Sequence, residues 1–516
     1  MKKYVIGIDA GTTGTKAIVM DLKGKALGSS YRDYPLLHPH PNWVELDADN
    51  LLEQVVTVVG EAVKKSGVDA NEIAALSFSV QRATITLVDG NGDALENTFY
   101  VWLDSRSDSI MDEMNEKIPH DYRALITGMP SVANFGIAKL YWLHKNRPEL
   151  IEKAKYMSTV DGYLMKKFGA KEFCNEVTSL QCSGFVDNRT LEVCYEVTDK
   201  LGFERRLFPK LVKPGEVVGT IDPEIASRTG LAADTLVVAG SGDQQAGALG
   251  SGVISDGAVE ITIGTGGFVI VGLAKPNFGK LQGLMVPCTP NLGVFEVEGN
   301  QNSGATCYRW AKDMFFSAEA EQALNEGVDP YDKMNELVDS SRPGSNGVIF
   351  SAALFGTGYP TWNSSASASF VGLKSTHTRG DMLRAVMEGV TLETRFMLES
   401  IKDTGVEIQD IITVTGGAMR SATWRQIVAD IMGTPIRTLE VSDASVIGVG
   451  GLAAIGAGLY KNVAEVAENM VHYGDDVIYP IPENVAVYDK VFAAYKKVYY
   501  TQSDNKVFDM LNNIYA

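Results

Sequence analysis

The sequence is poor in the features that mark several whole classes of protein. Its five cysteines, Cys174, Cys182, Cys194, Cys288 and Cys307, form no CxxC pair and are odd in number. That set disfavours zinc and a disulfide scaffold and suits buried thiols in a reducing compartment. Positive charge is short as well: 46 Lys and Arg stand against 64 Asp and Glu, a net charge of −18. Nothing in that balance offsets phosphate repulsion broadly, which argues against a general nucleic-acid or anionic-membrane binder. A small phosphate pocket is governed by its own donors and stays possible. No uninterrupted apolar run is long enough to span a bilayer. Lys2 and Lys3 precede an apolar stretch as in a leader peptide, but Asp9 interrupts it after a few residues. The expected location is cytoplasmic.

What is present is ordinary in bulk and informative in detail. Hydrophobic content of 45% and charged content of 21% describe a globular chain, and 516 residues suggest two or more domains. Near the start, residues 4–8 and 17–20 read as short apolar strands. Between them lie Asp9, Ala10, Gly11, Thr12, Thr13, Gly14, Thr15 and Lys16. Glycines let backbone N–H groups crowd around an anion, threonine hydroxyls and a lysine add donors, and an acid at a strand end can organise hydrated magnesium. The spacing of Gly14 and Lys16 is not that of a Walker A loop, and an ordinary Gly-rich hairpin would look similar.

Further along, helix and strand alternate, which predicts an α/β architecture. A third strand is expected at 26–30, a helix at 49–65, a strand at 73–80 and a helix at 134–146. His38-Pro39-His40-Pro41 reads as a stiff exposed loop and not a metal site. A strand at 236–239 leads into Gly240-Ser241-Gly242-Asp243-Gln244-Gln245 and a small-residue helix. The Gly- and Ser-rich residues 250–257 read as a boundary, dividing the chain into domains 1–252 and 253–516. Immediately beyond it, strand, Gly264-Thr265-Gly266-Gly267 and strand echo the opening pattern, as a duplicated core would. Strands and helices follow at 411–414, 423–432, 446–459 and 484–499, with Gly416-Gly417-Ala418-Met419 after the first of them.

Read together, these residues resemble the FGGY family of carbohydrate kinases. Ala368-Ser369-Phe370-Val371-Gly372-Leu373, followed after seven residues by Asp381-Met382-Leu383-Arg384-Ala385-Val386-Met387-Glu388, is similar to the family's C-terminal signature throughout. Lys139-Leu140-Tyr141-Trp142-Leu143 with Lys145-Asn146 is similar to the N-terminal one, with Gly136 where Pro, Ser or Thr is usual. The resemblance implies two actin-like (ribonuclease H-like) domains with a nucleotide and sugar cleft between them, closing on the reactants. It implies ATP and Mg2+, and Asp243 as the general base that activates a sugar hydroxyl. Gly11, Thr12, Thr13 and Lys16 would hold phosphate from one side and Gly264, Thr265 and Gly266 from the other. Gly416, Gly417 and Ala418 would face the nucleotide, and Asp9 and Asp243 would organise the metal.

Acceptor contacts are expected from Gln81, Arg82, Trp102, Asp104, Asn134, Asp243 and Phe268. Ala83 stands where glycerol kinases have glutamate, and Asn134 where they commonly have tyrosine, which removes a hydroxyl acceptor and opens space. That favours a longer acceptor, a ketopentose such as xylulose, although the xylulokinase-like Gln-Met-His is absent too. A glycerol kinase-like or other polyol kinase is the alternative, with a kinase for a linear dione further off. A nucleotide-binding regulatory protein without turnover is the reading from another class. The expected partners are a small sugar or polyol, no nucleic acid and no membrane, with a homodimer left open.

Overall fold

The computed structural model describes residues 2–281, 283–441 and 443–514. The chain forms two compact units. Unit 1 comprises 1–255, 273–296 and 443–472, and unit 2 comprises 256–272, 297–442 and 473–516. Two segments beyond residue 252 therefore belong with the N-terminal part.

Unit 1 opens with strands β1 (Tyr4–Ala10), β2 (Gly14–Asp21) and β3 (Ala26–Asp33). Then come β4 (Glu45–Asp47), helix α1 (Ala48–Ser66), β5 (Ile73–Val80), β6 (Ile85–Val88) and β7 (Thr98–Tyr100). Helix α2 (Gly136–Asn146), β8 (Tyr156–Thr159), β9 (Val217–Thr220), β10 (Leu236–Gly242) and helix α3 (Asp243–Gly250) complete the part used below. The main sheet has the order β9-β10-β5-β1-β2-β3 and a smaller one the order β4-β7-β6-β8. β1 is antiparallel to β2 and parallel to β5, and β10 is parallel to β5. α1 forms because Leu51, Val55, Val58, Val59 and Ala62 recur at helical spacing, and all of them are buried. Asp47 caps its first turn by accepting from the Asn50 N–H, and Gly67, at φ 65°, ends it.

Unit 2 carries β11 (Val259–Ile263), β12 (Gly267–Leu273), β13 (Phe295–Gln301), helix α4 (Arg379–Lys402), β14 (Ile412–Thr415), helix α5 (Ala422–Met432) and β15 (Ile436–Leu439). The chain then returns to unit 1 as helix α6 (Ala444–Gly456) and ends in unit 2 with β16 (Tyr473–Ile478) and helix α7 (Pro482–Asp504). The sheet order is β13-β12-β11-β14-β15-β16. β11 is antiparallel to β12 and parallel to β14, β14 is parallel to β15, and β16 runs antiparallel at the edge. Each sheet thus has a glycine-loop hairpin, two further parallel strands and an antiparallel edge, so the echo between the two loops extends to whole sheets.

One expectation needs correcting. The strand expected at 236–239 is longer: β10 runs on to Gly242, and α3 starts at Asp243 without an intervening turn. The glycine at 240 serves close approach, since a Cβ there would stand 1.8 Å from the Phe78 carbonyl oxygen on β5. The pairing of β10 with β5 shifts register between Val238 and Ser241, as a bulge does. The five cysteines are all buried and form no disulfide. Among the described residues no helix is long and apolar enough to cross a membrane.

Candidate active site

In unit 1 the first glycine loop spans residues 11–13, between β1 and β2, and its carbonyl oxygens are pinned. The Gly11 oxygen accepts from the Tyr34 hydroxyl at 2.5 Å and from Gln81 Nε2 at 3.0 Å. The Thr13 oxygen accepts from the Tyr34 N–H at 3.0 Å. Because a trans peptide is planar, the N–H groups of Thr12 and Gly14 point away from those oxygens, as an anion cradle requires. Burial raises the Tyr34 phenol far above its ordinary pKa, so it stays a neutral donor.

Asp9 lies at the end of β1 and accepts from the Ser79 hydroxyl at 2.6 Å. Part of its surface is open, yet the packed atoms around it push its carboxyl up to about 6. Ser79 and Lys16 oppose that rise, and the charges of Asp243 and Asp443 add to it. Lys16, on β2, places Nζ 2.5 Å from Asp443 Oδ1.

Asp243 is the first residue of α3, where β10 ends, and its side chain is 32% exposed. Its Oδ1 accepts from the Gln244 N–H at 2.7 Å and lies 3.0 Å from Arg82 Nε. Arg82 reaches Cys182 Sγ with Nη1 at 3.6 Å. Gln81 is fully enclosed, bridging the Gly11 oxygen and the Thr84 hydroxyl. Thr84 Oγ1 accepts from the Trp102 N–H at 3.1 Å, and Trp102 Nε1 donates to Thr12 Oγ1 at 2.8 Å. Asn134 Nδ2 donates to the Trp102 oxygen at 3.0 Å. One hydrogen-bonded chain therefore links the first glycine loop to Gln81, Trp102 and Asn134, and Arg82 links that segment to Asp243.

Asp104 is placed differently from an open acceptor contact. It is fully buried, and its oxygens accept from Arg106 Nε, Nη2 and backbone N–H and from the Val44 N–H. In this arrangement it fixes segment 101–106 behind Trp102 and offers no oxygen to an acceptor.

In unit 2 the second loop is built like the first. The Gly264 oxygen accepts from the Ala305 N–H at 2.7 Å, and the Thr265 oxygen from the Gly304 N–H at 2.9 Å and the Thr306 hydroxyl at 2.7 Å. The N–H groups of Thr265 and Gly266 consequently point the opposite way. Thr262 and Thr415 hydroxyls meet at 2.8 Å, tying β11 to β14 and with them the loops that follow. Gly416 has φ 93°, and a Cβ there would stand 2.4 Å from the Ile263 oxygen, so only glycine suits it. Gly417 has no atom within 4 Å of where its Cβ would be, which leaves an open surface beside buried Ala418. Phe268 is half-buried on β12, opposite Thr262.

Sequence reasoning missed Tyr34, Ser79, Lys139 as a contact and Asp443. No local motif marks the first two or the last, because their partners lie tens to hundreds of residues away. Lys139 stood inside a recognised signature. Its fully buried Nζ donates to the Ala83 oxygen at 3.0 Å and the Asn134 oxygen at 2.6 Å. Burial pushes its pKa down to about 7, against the pull of Asp104.

Residues 4–250 match the N-terminal domain of the FGGY family of carbohydrate kinases, and residues 259–457 match its C-terminal domain. The xylulose kinase of Bacillus subtilis is 28% identical, the alignment covering 96% of this chain and 97% of that protein. The gluconokinase of the same organism is also 28% identical, over 88% of each. The structure of ligand-bound xylulose kinase from Lactobacillus acidophilus is similar with a TM-score of 0.87 at 25% identity, covering 97% of this chain and 98% of that one. The two domain matches span most of the chain in order, and the protein belongs to the FGGY family of carbohydrate kinases, enzymes that transfer a phosphoryl group to an alcohol.

Proposed function

We propose that the protein transfers the γ-phosphoryl group of ATP to a hydroxyl of a small ketose or polyol, with a ketopentose such as xylulose as the acceptor. The observation that carries this reading is the placing of Asp243, a partly exposed carboxylate at a strand end, in the same unit as the Asp9 and Lys16 loop. Asp243 accepts the proton of the attacking hydroxyl, worth about 10²–10⁴-fold in such reactions. Arg82 holds that carboxylate in place. Positioning and charge neutralisation carry most of the remaining acceleration in phosphoryl transfer. Lys16 and the N–H groups of the first loop hold phosphate oxygens, as do those of Thr265 and Gly266, while Gly416, Gly417 and Ala418 receive the nucleoside.

Among the described residues no group of three or more His, Cys, Asp or Glu could enclose a metal ion. The residues fit a hydrated Mg2+ that takes one or two carboxylates and completes its shell with water and phosphate. Asp9 is the candidate: burial is the main cause that raises its carboxyl pKa, the charges of Asp243 and Asp443 add to that rise, and a cation would oppose it. Mg2+ held there would supply charge neutralisation at the transferring phosphate.

The acceptor class follows from what Ala83 and Asn134 leave out. A site that lacks a partner for a hydroxyl loses about 1–3 kcal/mol on ligands that need it, which disfavours glycerol. Both xylulose and gluconate kinases are among the relatives, and Arg82, close to Asp243, gives an acidic sugar a specific reason to be tested. Acceptor-stimulated ADP release with glycerol, tetritols, pentuloses, hexuloses and gluconate decides the matter. The expected result is one clear responder among the pentuloses. If no acceptor stimulates ADP release while ATP binds, turnover is absent and the regulatory reading replaces this one.

A further inference from the structure

Lys16 meets an acid that comes from far along the chain. Asp443 Oδ1 lies 2.5 Å from Lys16 Nζ, and both side chains keep about a quarter to a third of their surface open, 25% and 31%. Asp443 directly precedes α6, at the position where an aspartate ordinarily caps a helix, yet its side chain makes no capping bond there. It forgoes that bond and pairs with the lysine. The backbone that carries it is fixed by close packing. A Cβ on Gly250 of α3 would stand 1.9 Å from the Ala444 oxygen, and one on Gly7 of β1 would stand 2.2 Å from the Val446 oxygen. The first turn of α6 is therefore seated against β1, which bears Asp9, and against α3, which bears Asp243.

A lysine head on four rotatable bonds loses much freedom when it is fixed, and an ammonium has three N–H donors. One donor spent on Asp443 leaves two for phosphate oxygens. We propose that Asp443 is a positioning residue that holds the Lys16 ammonium at the phosphate loop, so that the β- and γ-phosphates of a nucleoside triphosphate meet a lysine already in place. The inference rests on the reading of Lys16 as a phosphate ligand.

Calorimetric titration of the full chain tests it, with Mg2+ and the β,γ-imido analogue of ATP in one arm and AMP in the other. Asp443→Ala is expected to weaken the triphosphate about tenfold while AMP changes less than about twofold, within the range that coupled charge pairs show. Asp443→Glu restores most of the loss. In a Lys16→Met background, Asp443→Ala adds nothing further. Circular dichroism melting of each variant confirms that the folded protein is being titrated, and Asp443→Glu reads the same quantity should the alanine variant fail to fold: a triphosphate affinity near the parent's supports the proposal, and a tenfold loss overturns it. Equal weakening of triphosphate and AMP by Asp443→Ala overturns the proposal in favour of a scaffold role. Unchanged affinities overturn it outright, and a tightened triphosphate shows the acid competing with phosphate for the lysine. If Lys16→Met leaves triphosphate affinity unchanged, the phosphate role of Lys16 itself falls, whatever Asp443 does.

Discussion

Arg82 Nε and Asp243 Oδ1 stand 3.0 Å apart, a guanidinium from the segment after β5 facing the first residue of α3. The Arg82 side chain is 12% exposed, so the pair is screened less than a surface ion pair. Asp243→Asn is expected to lower kcat by about 10²–10⁴-fold and leave nucleotide affinity nearly unchanged. Full turnover by that variant on the responding acceptor would remove Asp243 from the role of base.

Arg82→Met keeps the carboxylate and removes what orients it. The expected result is a fall in kcat of about tenfold, smaller than that of Asp243→Asn, since the base survives in a looser geometry. ADP release at saturating acceptor and ATP measures it. If the two variants lose equally, Arg82 does more than orient.

Lys139 fastens the proposed acceptor segment by donating to the Ala83 and Asn134 oxygens from a fully buried position. Ala83 sits at φ 55°, unusual for a residue with a Cβ, so the turn needs outside support. Lys139→Met leaves the buried Ala83 oxygen and the part-buried Asn134 oxygen without that donor. The acceptor KM is expected to rise about tenfold, in line with the loss of hydrogen bonds to buried groups, while nucleotide affinity is retained. Equal loss of both affinities would show that the residue supports the whole unit.

Much of the fold was legible because its strands and helices are strongly periodic. The expected strand at 73–80 coincides with β5 (Ile73–Val80), and the expected helix at 49–65 differs from α1 by one residue at each end. The glycine loops were legible because a tight turn between paired strands leaves few residue choices. The support behind the site was not. Tyr34 reaches Gly11 across 23 residues, Ser79 reaches Asp9 across 70, and Asp443 reaches Lys16 across 427. Such pairs exist only once the sheet brings β1, β2, β5 and α6 together. Asp104 misled for a related reason: an acid beside an aromatic residue reads the same whether it faces a ligand or a buried arginine.

Glycine between α3 and α6 and glycine at the proposed nucleotide surface should fail in opposite ways. At Gly448 a Cβ would stand 2.0 Å from the Ala246 oxygen, whereas at Gly417 it would meet nothing within 4 Å. Gly448→Ala is expected to cost about 1–3 kcal/mol of unit stability through overpacking, read as a lower urea midpoint. Gly417→Ala should leave that midpoint within experimental scatter and weaken the nucleotide. Stability loss at Gly417, or none at Gly448, would contradict the packing described.

Glu393 of α4 gives a dependence on pH that belongs to the core of unit 2. It is buried, and burial pushes its carboxyl up to about 8 from an ordinary 4.5, while the Tyr495 hydroxyl donates to it at 3.0 Å and partly opposes the rise. Below pH 4.5 both folded and unfolded forms hold the proton, and the neutral carboxyl costs the folded state nothing. As pH rises above 4.5 the unfolded chain releases its proton first. Folding stability then declines until the folded pKa near 8 is passed, by linkage on the order of 5 kcal/mol at most. Glu393→Gln keeps an acceptor for Tyr495 and carries no charge at any pH. Urea denaturation at pH 5.5, 7 and 8.5 should show the variant gaining on the parent protein as pH rises. Other buried acids, Glu176 among them, titrate in both proteins, so the difference between the two curves isolates Glu393. A difference that stays flat across that window would mean that the Glu393 carboxyl is already ionised in the folded protein.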